Sequence, residues 1–490
     1  MPASRYISRL RISAFRNYQT GALDLDARHV VLVGPNGAGK TNLLEAVSLL
    51  APGRGLRRAT FDELGSIGSE GRWAVAATIE TPDGPADIGT GAGEADGPRR
   101  VRINGANARA VEAMSAYLRL LWLTPAMDGL FTGPAADRRR FLDRLVTTLI
   151  PTHSAAVADY ERAMRQRNRL LEENADLRWL DALETEMAAL AAAVHFARAD
   201  AVGRLRQIIS EIGSDLDFPA AKLALTTEVG DESQPASSAN FEAGLVDAWH
   251  RSRAQDRAAG RTLRGPHRVD LEVTHAQKQV PASLASTGEQ KALLVGLILA
   301  HAQLVKSATG IAPFLLLDEI AAHFDPSRRR ALFTALDALE TQSLMTGTDF
   351  SLFDALEDRA TRISVRAGRL SEWYESVPSE TYELFHEAMS KRQPITCTYD
   401  GLRRELCPII LGRTDGEERV LAFQFAGETH NGPVRPSGEW KCLRLASVQN
   451  AELGTGKWHA GEQHSTTQTC IKEVDYDVNP DSPYHPRYRF

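Results

Sequence analysis

The stretch Gly34-Pro35-Asn36-Gly37-Ala38-Gly39-Lys40-Thr41 fits the pattern G-x-x-x-x-G-K-[ST]. Glycines let a backbone curl until successive N–H groups converge on phosphate oxygens, and a following helix adds its positive end. Lys40 has the reach and charge for the β- and γ-phosphates, and the Thr41 hydroxyl suits Mg²⁺. A second group, Leu315-Leu316-Leu317-Asp318-Glu319, ends an apolar run in two acids. Asp318 is placed to hold the metal ion, and Glu319 to position or deprotonate an attacking water. Together they predict binding and hydrolysis of a nucleoside triphosphate.

The chemistry needs elements to hold it. His29 to Val33 is a short β-branched run that reads as a buried strand, and the apolar spacing from Asn42 onward reads as a helix. Residues 5–33 alternate as strands around Phe15-Arg16-Asn17-Tyr18. Further strands are predicted over 72–80 and 99–103, joined by a Gly/Asp/Pro-rich hairpin region. From about 108 to 260 the text turns rich in Ala, Leu, Arg and Glu. This predicts a helical insertion, with two long helices over 154–212 broken near 173–178, then short strand-like pieces mixed with a polar surface segment over 213–245. The α/β style then returns: a helix over 286–306, a strand over 313–320, a helix from Asp325-Pro326 to 338, a strand over 341–348 and a strand pair over 361–373. The expected domains are 1–107 (head, first part), 108–260 (helical arm), 261–373 (head, second part) and 374–490 (a small β-domain with an extended tail).

Ser286-Thr287-Gly288-Glu289-Gln290-Lys291 opens the helix at 286. It resembles the signature of ABC-type ATPases, in which a serine hydroxyl, a glycine amide and a helix N-terminus grip the γ-phosphate of ATP on another subunit. Ser286 and Glu289 also spell a capping box, and both readings can hold together. On the ABC reading Asp325 is the D-loop aspartate of a dimer with two composite sites.

Composition sets limits. The chain has 490 residues, 43% hydrophobic and 24% charged, with a net charge of −6, an ordinary globular balance with no global basic signal. The N-terminus lacks an apolar leader core, and the longest apolar stretch, Ala292 to Ala300, is far short of a membrane span. A cytoplasmic protein with no membrane partner is expected. Cys397, Cys407, Cys442 and Cys470 form no C-x-x-C pair, so free core thiols are expected rather than zinc ligands.

From about 5 to 373 the chain resembles the RecF family of the ABC/SMC-like ATPases. The matching pieces, in order, are FRNY (15–18), GPNGAGKTNLLEA (34–46), GRGLRR (53–58), LTP (123–125), GPAADRRRFLD (133–143), YERAMRQRNRLL (160–171), GPHRVD (265–270), STGEQKALL (286–294), LLLDEIAAHFD (315–325) and TGTD (346–349). The resemblance implies an α/β ABC-type head with a mixed sheet, an inserted helical arm and an ATP-dependent homodimer. It also implies ATP with Mg²⁺ as cofactors and slow hydrolysis. The expected partners are DNA at single-stranded gaps and single/double-strand junctions, RecR and RecO, and through them RecA. The nucleotide contacts it implies are Arg16, Asn17, Gly34 to Asn42, Ser286, Gly288, Glu289 and Asp325, with Lys40, Asp318 and Glu319 catalytic and Thr41 and Asp318 on the metal.

Arginine clusters Arg54/Arg57/Arg58, Arg138/Arg139/Arg140 and Arg165/Arg167/Arg169 are candidates for DNA phosphates or for a salt-bridged face. In the last cluster Arg165 and Arg169 share a helix face and Arg167 points away. His267, in a turn, is a candidate for nucleotide, DNA or a structural hydrogen bond. Two ABC features are missing: no glutamine stands near Leu121-Trp122-Leu123-Thr124, and Thr346-Gly347-Thr348-Asp349 replaces a switch histidine. Beyond 377 the chain resembles small WYL-like β-barrel domains through Thr398-Tyr399-Asp400, Arg403/Arg404 and the strand from Trp440 to Leu445. The rival readings are the ATPase subunit of a transporter and an ATPase-nuclease of the overcoming-lysogenisation type. The latter needs an acidic metal cluster near the C-terminus, where Asp475, Asp477 and Asp481 read as tail residues.

Overall fold

A computed structural model describes residues 4–93, 99–173, 176–212, 218–226, 237–372, 379–414, 417–430, 432–460, 468–479, 484, 486 and 488–489. The chain divides into two compact units, Met1–Trp373 and Tyr374–Phe490.

The first unit is built on a six-stranded sheet in the order Arg369–Glu372, Ala360–Arg366, His29–Val33, Ser343–Gly347, Phe314–Leu317, Leu120–Leu123. All neighbours are parallel except the first pair. The four strands from His29–Val33 to Leu120–Leu123 are buried along their whole length, as parallel strands covered on both faces must be. Their side chains alternate between two cores. Val30, Leu32, Leu316, Leu344 and Trp122 face the helix Lys40–Ser48 and an antiparallel sheet. Val31, Val33, Leu315, Leu317 and Met345 face the helix Thr287–Thr309 and the base of the arm. Period-two alternation thus lets one sheet serve two layers. The helix Thr287–Thr309 is long and apolar enough to cross a membrane, but 72% of its most apolar window is buried in this core.

The antiparallel sheet runs Tyr18–Asp24, Tyr6–Phe15, Trp73–Glu80, Ala86–Ala92, Arg100–Ile103, Ala106–Asn107. Ala86–Ala92 corrects the expected hairpin region: its small residues alternate buried and exposed, and its ladder to Trp73–Glu80 makes it a strand. Residues 94–98 of that region lie outside the described residues.

The arm comprises Ala135–Leu149, His153–Glu172, Leu177–Ile212 and Ser238–Ala259. The expected break near 173–178 falls between the second and third of these, with 174–175 outside the described residues. Two expectations need correction. Leu120–Leu123, inside the predicted 108–260 insertion, is an edge strand of the head, laddered in parallel with Phe314–Leu317. Ser238–Ala259, its first eight residues assigned to a surface segment, is a helix capped by Ser237, which accepts from the Asn240 N–H. Residues 227–236 of that segment lie outside the described residues.

The second unit pairs the helix Glu380–Lys391 with an eight-stranded sheet around the hairpin of Leu402–Thr414 and Glu417–Thr429. Residues 415–416 between those two strands lie outside the described residues. The expected extended tail from 475 is corrected: Glu473–Asp477 is a strand paired with Leu402–Thr414. Asp475 is buried and accepts from the Tyr382 hydroxyl at 2.6 Å and from Arg413 at 3.0 Å, and Asp477 is buried beside it. Asp481 lies outside the described residues. The cysteine expectation is half corrected. Cys397 and Cys407 are free and buried, whereas Cys442 and Cys470 form a disulfide. Thr414 ties the Cys470 segment to the sheet. Its hydroxyl donates to the Cys470 carbonyl at 2.8 Å and accepts from the Lys472 N–H at 3.0 Å, drawing that segment onto the sheet.

Candidate nucleotide-binding site

The loop Gly34–Gly39 joins the central strand His29–Val33 to the helix Lys40–Ser48. Its shape depends on residues outside it. A Cβ at Gly34 would lie 2.1 Å from the Val365 carbonyl oxygen, so the neighbouring strand passes too close for any side chain there. Gly39 has φ +114, and a Cβ there would strike Asn17 and Tyr18. Those two residues pin the loop's carbonyls outward: Asn17 Nδ2 donates to Ala38 O at 3.1 Å and the Tyr18 hydroxyl to Gly39 O at 3.0 Å. The Gly368 N–H also donates to Ala38 O. The Ala38 N–H donates to Pro35 O at 3.2 Å; successive N–H groups of such a loop form the concavity that takes an anion. Lys40 is buried, its ammonium 2.6 Å from Gly34 O and 3.0 Å from Pro35 O. Burial pulls its pKa below the ordinary lysine value, and the nearby charges of Glu319 and Asp318 oppose that shift.

Arg16 and Asn17, expected at the nucleotide, brace the loop from behind. Arg16 makes a two-pronged pair with Glu45 at 2.9 and 2.8 Å and donates to Glu63 O. Glu45, on the loop's own helix, is fully buried. Asn17 Oδ1 accepts from Asn42, whose own Oδ1 accepts from Arg57. Arg57, one of the candidates for DNA, is exposed and pairs with Glu45 at 2.9 Å, so its guanidinium also joins this brace.

Asp318 arrives from the other side. One strand, Ser343–Gly347, separates the loop strand from Phe314–Leu317, and the registers Gly347↔Val33 and Leu317↔Met345 bring all three C-terminal ends level. Asp318 is buried with both carboxylate oxygens 3.0–3.1 Å from the Thr41 hydroxyl. A hydroxyl and a carboxylate in contact are a hard oxygen donor set, the kind Mg²⁺ takes beside nucleotide phosphates. Glu319 sits in the left-handed region at φ 54°, ψ 20°. Thr346, absent from the predicted site, touches both acids. A hydroxyl inside the apolar run of 343–347 was the available signal.

Ser286 and Glu289 lie at the exposed N-terminus of Thr287–Thr309. The Ser286 N–H and hydroxyl donate to Glu289 Oε2 at 3.1 and 2.9 Å, closing the capping box. Lys278 pairs with Glu289 and, with the Ser286 donors, holds its carboxyl at about 2. Gly288 follows with open space at its Cβ position. Asp325 caps the helix Pro326–Ala338, accepting from Ser327 and Arg328; these donors hold it at about 2. Among the described residues no hydrogen bond joins Ser286, Gly288, Glu289 or Asp325 to the loop.

The arginine clusters divide. Arg54 and Arg58 are exposed, and Arg140 of the arm helix lies within electrostatic reach of Arg58. Desolvation first, then the charges of Arg140 and Arg54, hold Arg58 below the usual arginine range. Arg138 makes a two-pronged pair with Asp270 at 2.9 and 2.7 Å, joining the arm to the strand Asp270–His275. Arg139 is half-buried and donates to Val269 O. Arg165 and Arg169 are exposed, whereas Arg167 is fully buried against Glu184, Asp256 and Thr262. His267 takes the structural role: Nδ1 meets the Tyr160 hydroxyl and Nε2 the Thr262 carbonyl. Among the described residues no group of three or more His, Cys, Asp or Glu is arranged to hold a metal ion, so the nuclease reading finds no centre there.

The family model described as RecF/RecN/SMC N terminal domain matches residues 6–370. The chain is 52% identical over 374 residues to the DNA replication and repair protein RecF of Rhizobium meliloti (strain 1021), spanning 76% of this chain and 100% of that one. Over 371 residues it is 52% identical to the protein of the same name from Mesorhizobium japonicum, spanning 75% and 98%. Among solved structures it shares its fold with one described as "Structure of the recombination mediator protein RecF-ATPrS in RecFOR pathway", at a TM-score of 0.67 and 20% identity over 76% of this chain and 99% of that one.

Proposed function

The chain belongs to the RecF/RecN/SMC N-terminal domain family, within which its curated relatives are RecF proteins, and from that premise we propose an ATP-gated DNA-binding protein of replication and repair. One observation carries the reading. A complete phosphate loop, a Thr41–Asp318 pair fit for Mg²⁺ and a poised Glu319 stand together, while Ser286 and Gly288 are displayed elsewhere with no bond to them. A site divided in this way is completed by a second copy, with the γ-phosphate bridging the two. Bound Mg·ATP supplies the phosphoanhydride whose presence holds the dimer; this chain's residues orient it through the loop and Lys40. ATP hydrolysis is slow and acts as a release switch.

DNA is the ligand of the closed dimer. Arg54, Arg58 and Arg140, with Arg165 and Arg169 farther out on the arm, supply exposed charge for phosphates at single-stranded gaps and junctions. RecR and RecO are the partners, with RecA loading as the outcome. The second unit, beyond the matched span, acts as a WYL-like module that senses nucleic acid or a nucleotide.

Size-exclusion chromatography with light scattering, with and without ATP and gapped DNA, tests the core of this reading. The wild type dimerises and binds gapped DNA only with ATP, and Lys40→Ala loses both. If Lys40→Ala bound gapped DNA with undiminished ATP dependence, the reading would fail.

A further inference from the structure

We propose that Thr346 is a positioning residue for ATP hydrolysis, holding both acids of the site through one hydroxyl. The inference rests on the ATPase reading above. Thr346 is wholly buried on the strand between the loop strand and the acidic strand, one residue past Met345, which pairs with Leu317. It therefore lies level with Asp318, one residue past Leu317. Its hydroxyl donates to Asp318 Oδ1 at 2.7 Å and accepts from the Glu319 N–H at 2.9 Å. One rotor thus spends its proton on the first acid and a lone pair on the backbone of the second.

Both bonds have consequences. Asp318 has two hydroxyl donors, Thr41 and Thr346. Thr41 is the one a metal ion would claim, which leaves Thr346 to keep the carboxylate aimed. Glu319 stands in the left-handed region at φ 54°, a conformation a glutamate keeps only when its surroundings hold it there. The Thr346 acceptor is the side-chain group on its N–H. Without it the backbone relaxes and the carboxylate swings off the line toward the γ-phosphate. Burial excludes Thr346 itself from the substrate, so its effect is on turnover more than on nucleotide affinity.

The test compares Thr346→Val, which keeps the shape and removes the hydroxyl, with Thr346→Ser, which keeps the hydroxyl. ATP turnover, KM and melting temperature are measured, and crystal structures of both variants are solved. Thr346→Val is expected to lower kcat at least tenfold with KM changed less than threefold, and its Glu319 to leave the left-handed region. Thr346→Ser is expected to stay within threefold of wild type with Glu319 unmoved. A folded Thr346→Val with kcat within twofold of wild type, a Thr346→Ser as impaired as Thr346→Val, or a Glu319 backbone unchanged in Thr346→Val overturns the proposal. A wild type that neither binds nor hydrolyses ATP would instead overturn the ATPase reading, a result these variants are not needed to see.

Discussion

Single side chains in this protein are tuned by what surrounds them more than by their type. His301 is fully buried in the helix Thr287–Thr309, bonded through Nε2 to the Thr148 hydroxyl at 2.7 Å, and desolvation drives its pKa down to about 3. A folded-state pKa below the unfolded one means the neutral ring is favoured on folding. The stabilisation is complete above the ordinary histidine value near 6.5 and is lost as pH falls from there toward 3. His301 alone therefore costs about 1.4 kcal/mol of stability per pH unit across that window. Asp325 and Glu289, held at about 2, lose their contribution only below the ordinary carboxylate range. Urea denaturation between pH 7 and 5 is expected to show a slope that is about one proton shallower in His301→Gln, which keeps the bond to Thr148. Burial lowers His267 in the same direction, so the variant retains a residual slope. An unchanged slope would show that His301 titrates normally.

Elements are held by charge as much as by apolar packing. In the arm, Arg167 gives one bond each to Glu184, Asp256, Thr262 and the Trp249 carbonyl, all at 3.1 Å or less and all buried. Arg253 adds a second cation on Glu184. This network ties the helices His153–Glu172, Leu177–Ile212 and Ser238–Ala259 into one register around Trp249 and Tyr160. Removing one partner strands buried charge, which costs about 3–5 kcal/mol. Arg167→Met is accordingly expected to lose hydrogen-exchange protection in these helices while the loop still binds ATP. Equal loss of protection in the head would show that arm and head melt together. At the base of the arm, Arg138–Asp270 does the same service between helix and strand. Arginine-rich text in this chain thus marks internal joints, as Arg138 and Arg167 show.

The whole molecule is two units with separate cores, and a disulfide belongs to only one of them. Calorimetry is expected to resolve two transitions. Closing the 28-residue separation between Cys442 and Cys470 stabilises its unit by about 3–4 kcal/mol through the entropy of the unfolded chain. Dithiothreitol, or Cys442→Ser, should lower the transition of the second unit by about 10 °C or more and leave the first in place. A shift of both transitions would mean the units fold as one. The family match ends at residue 370, so a chain stopped at 372 is expected, by size-exclusion chromatography with ATP, to keep the dimerisation proposed above.

The sequence by itself determined the parts whose chemistry is local. A glycine loop between strand and helix, two acids ending an apolar run, and a serine three residues ahead of a glutamate are contiguous patterns, and each needs only its neighbours to be read. The alternating apolar strands of the head and the long helices of the arm were legible for the same reason. Only the tertiary structure decided which charges are spent. Arg57, Arg138 and Arg167 look like Arg54 and Arg58 in the chain, but their carboxylate partners lie 12, 132 and 89 residues away. It also decided the role of Thr346, which reads as one hydroxyl in an apolar strand until parallel register sets it against Asp318, 28 residues earlier. The physical reason is shared: a hydrogen bond or an ion pair depends on distance in space, and a sheet brings together residues that the sequence keeps apart.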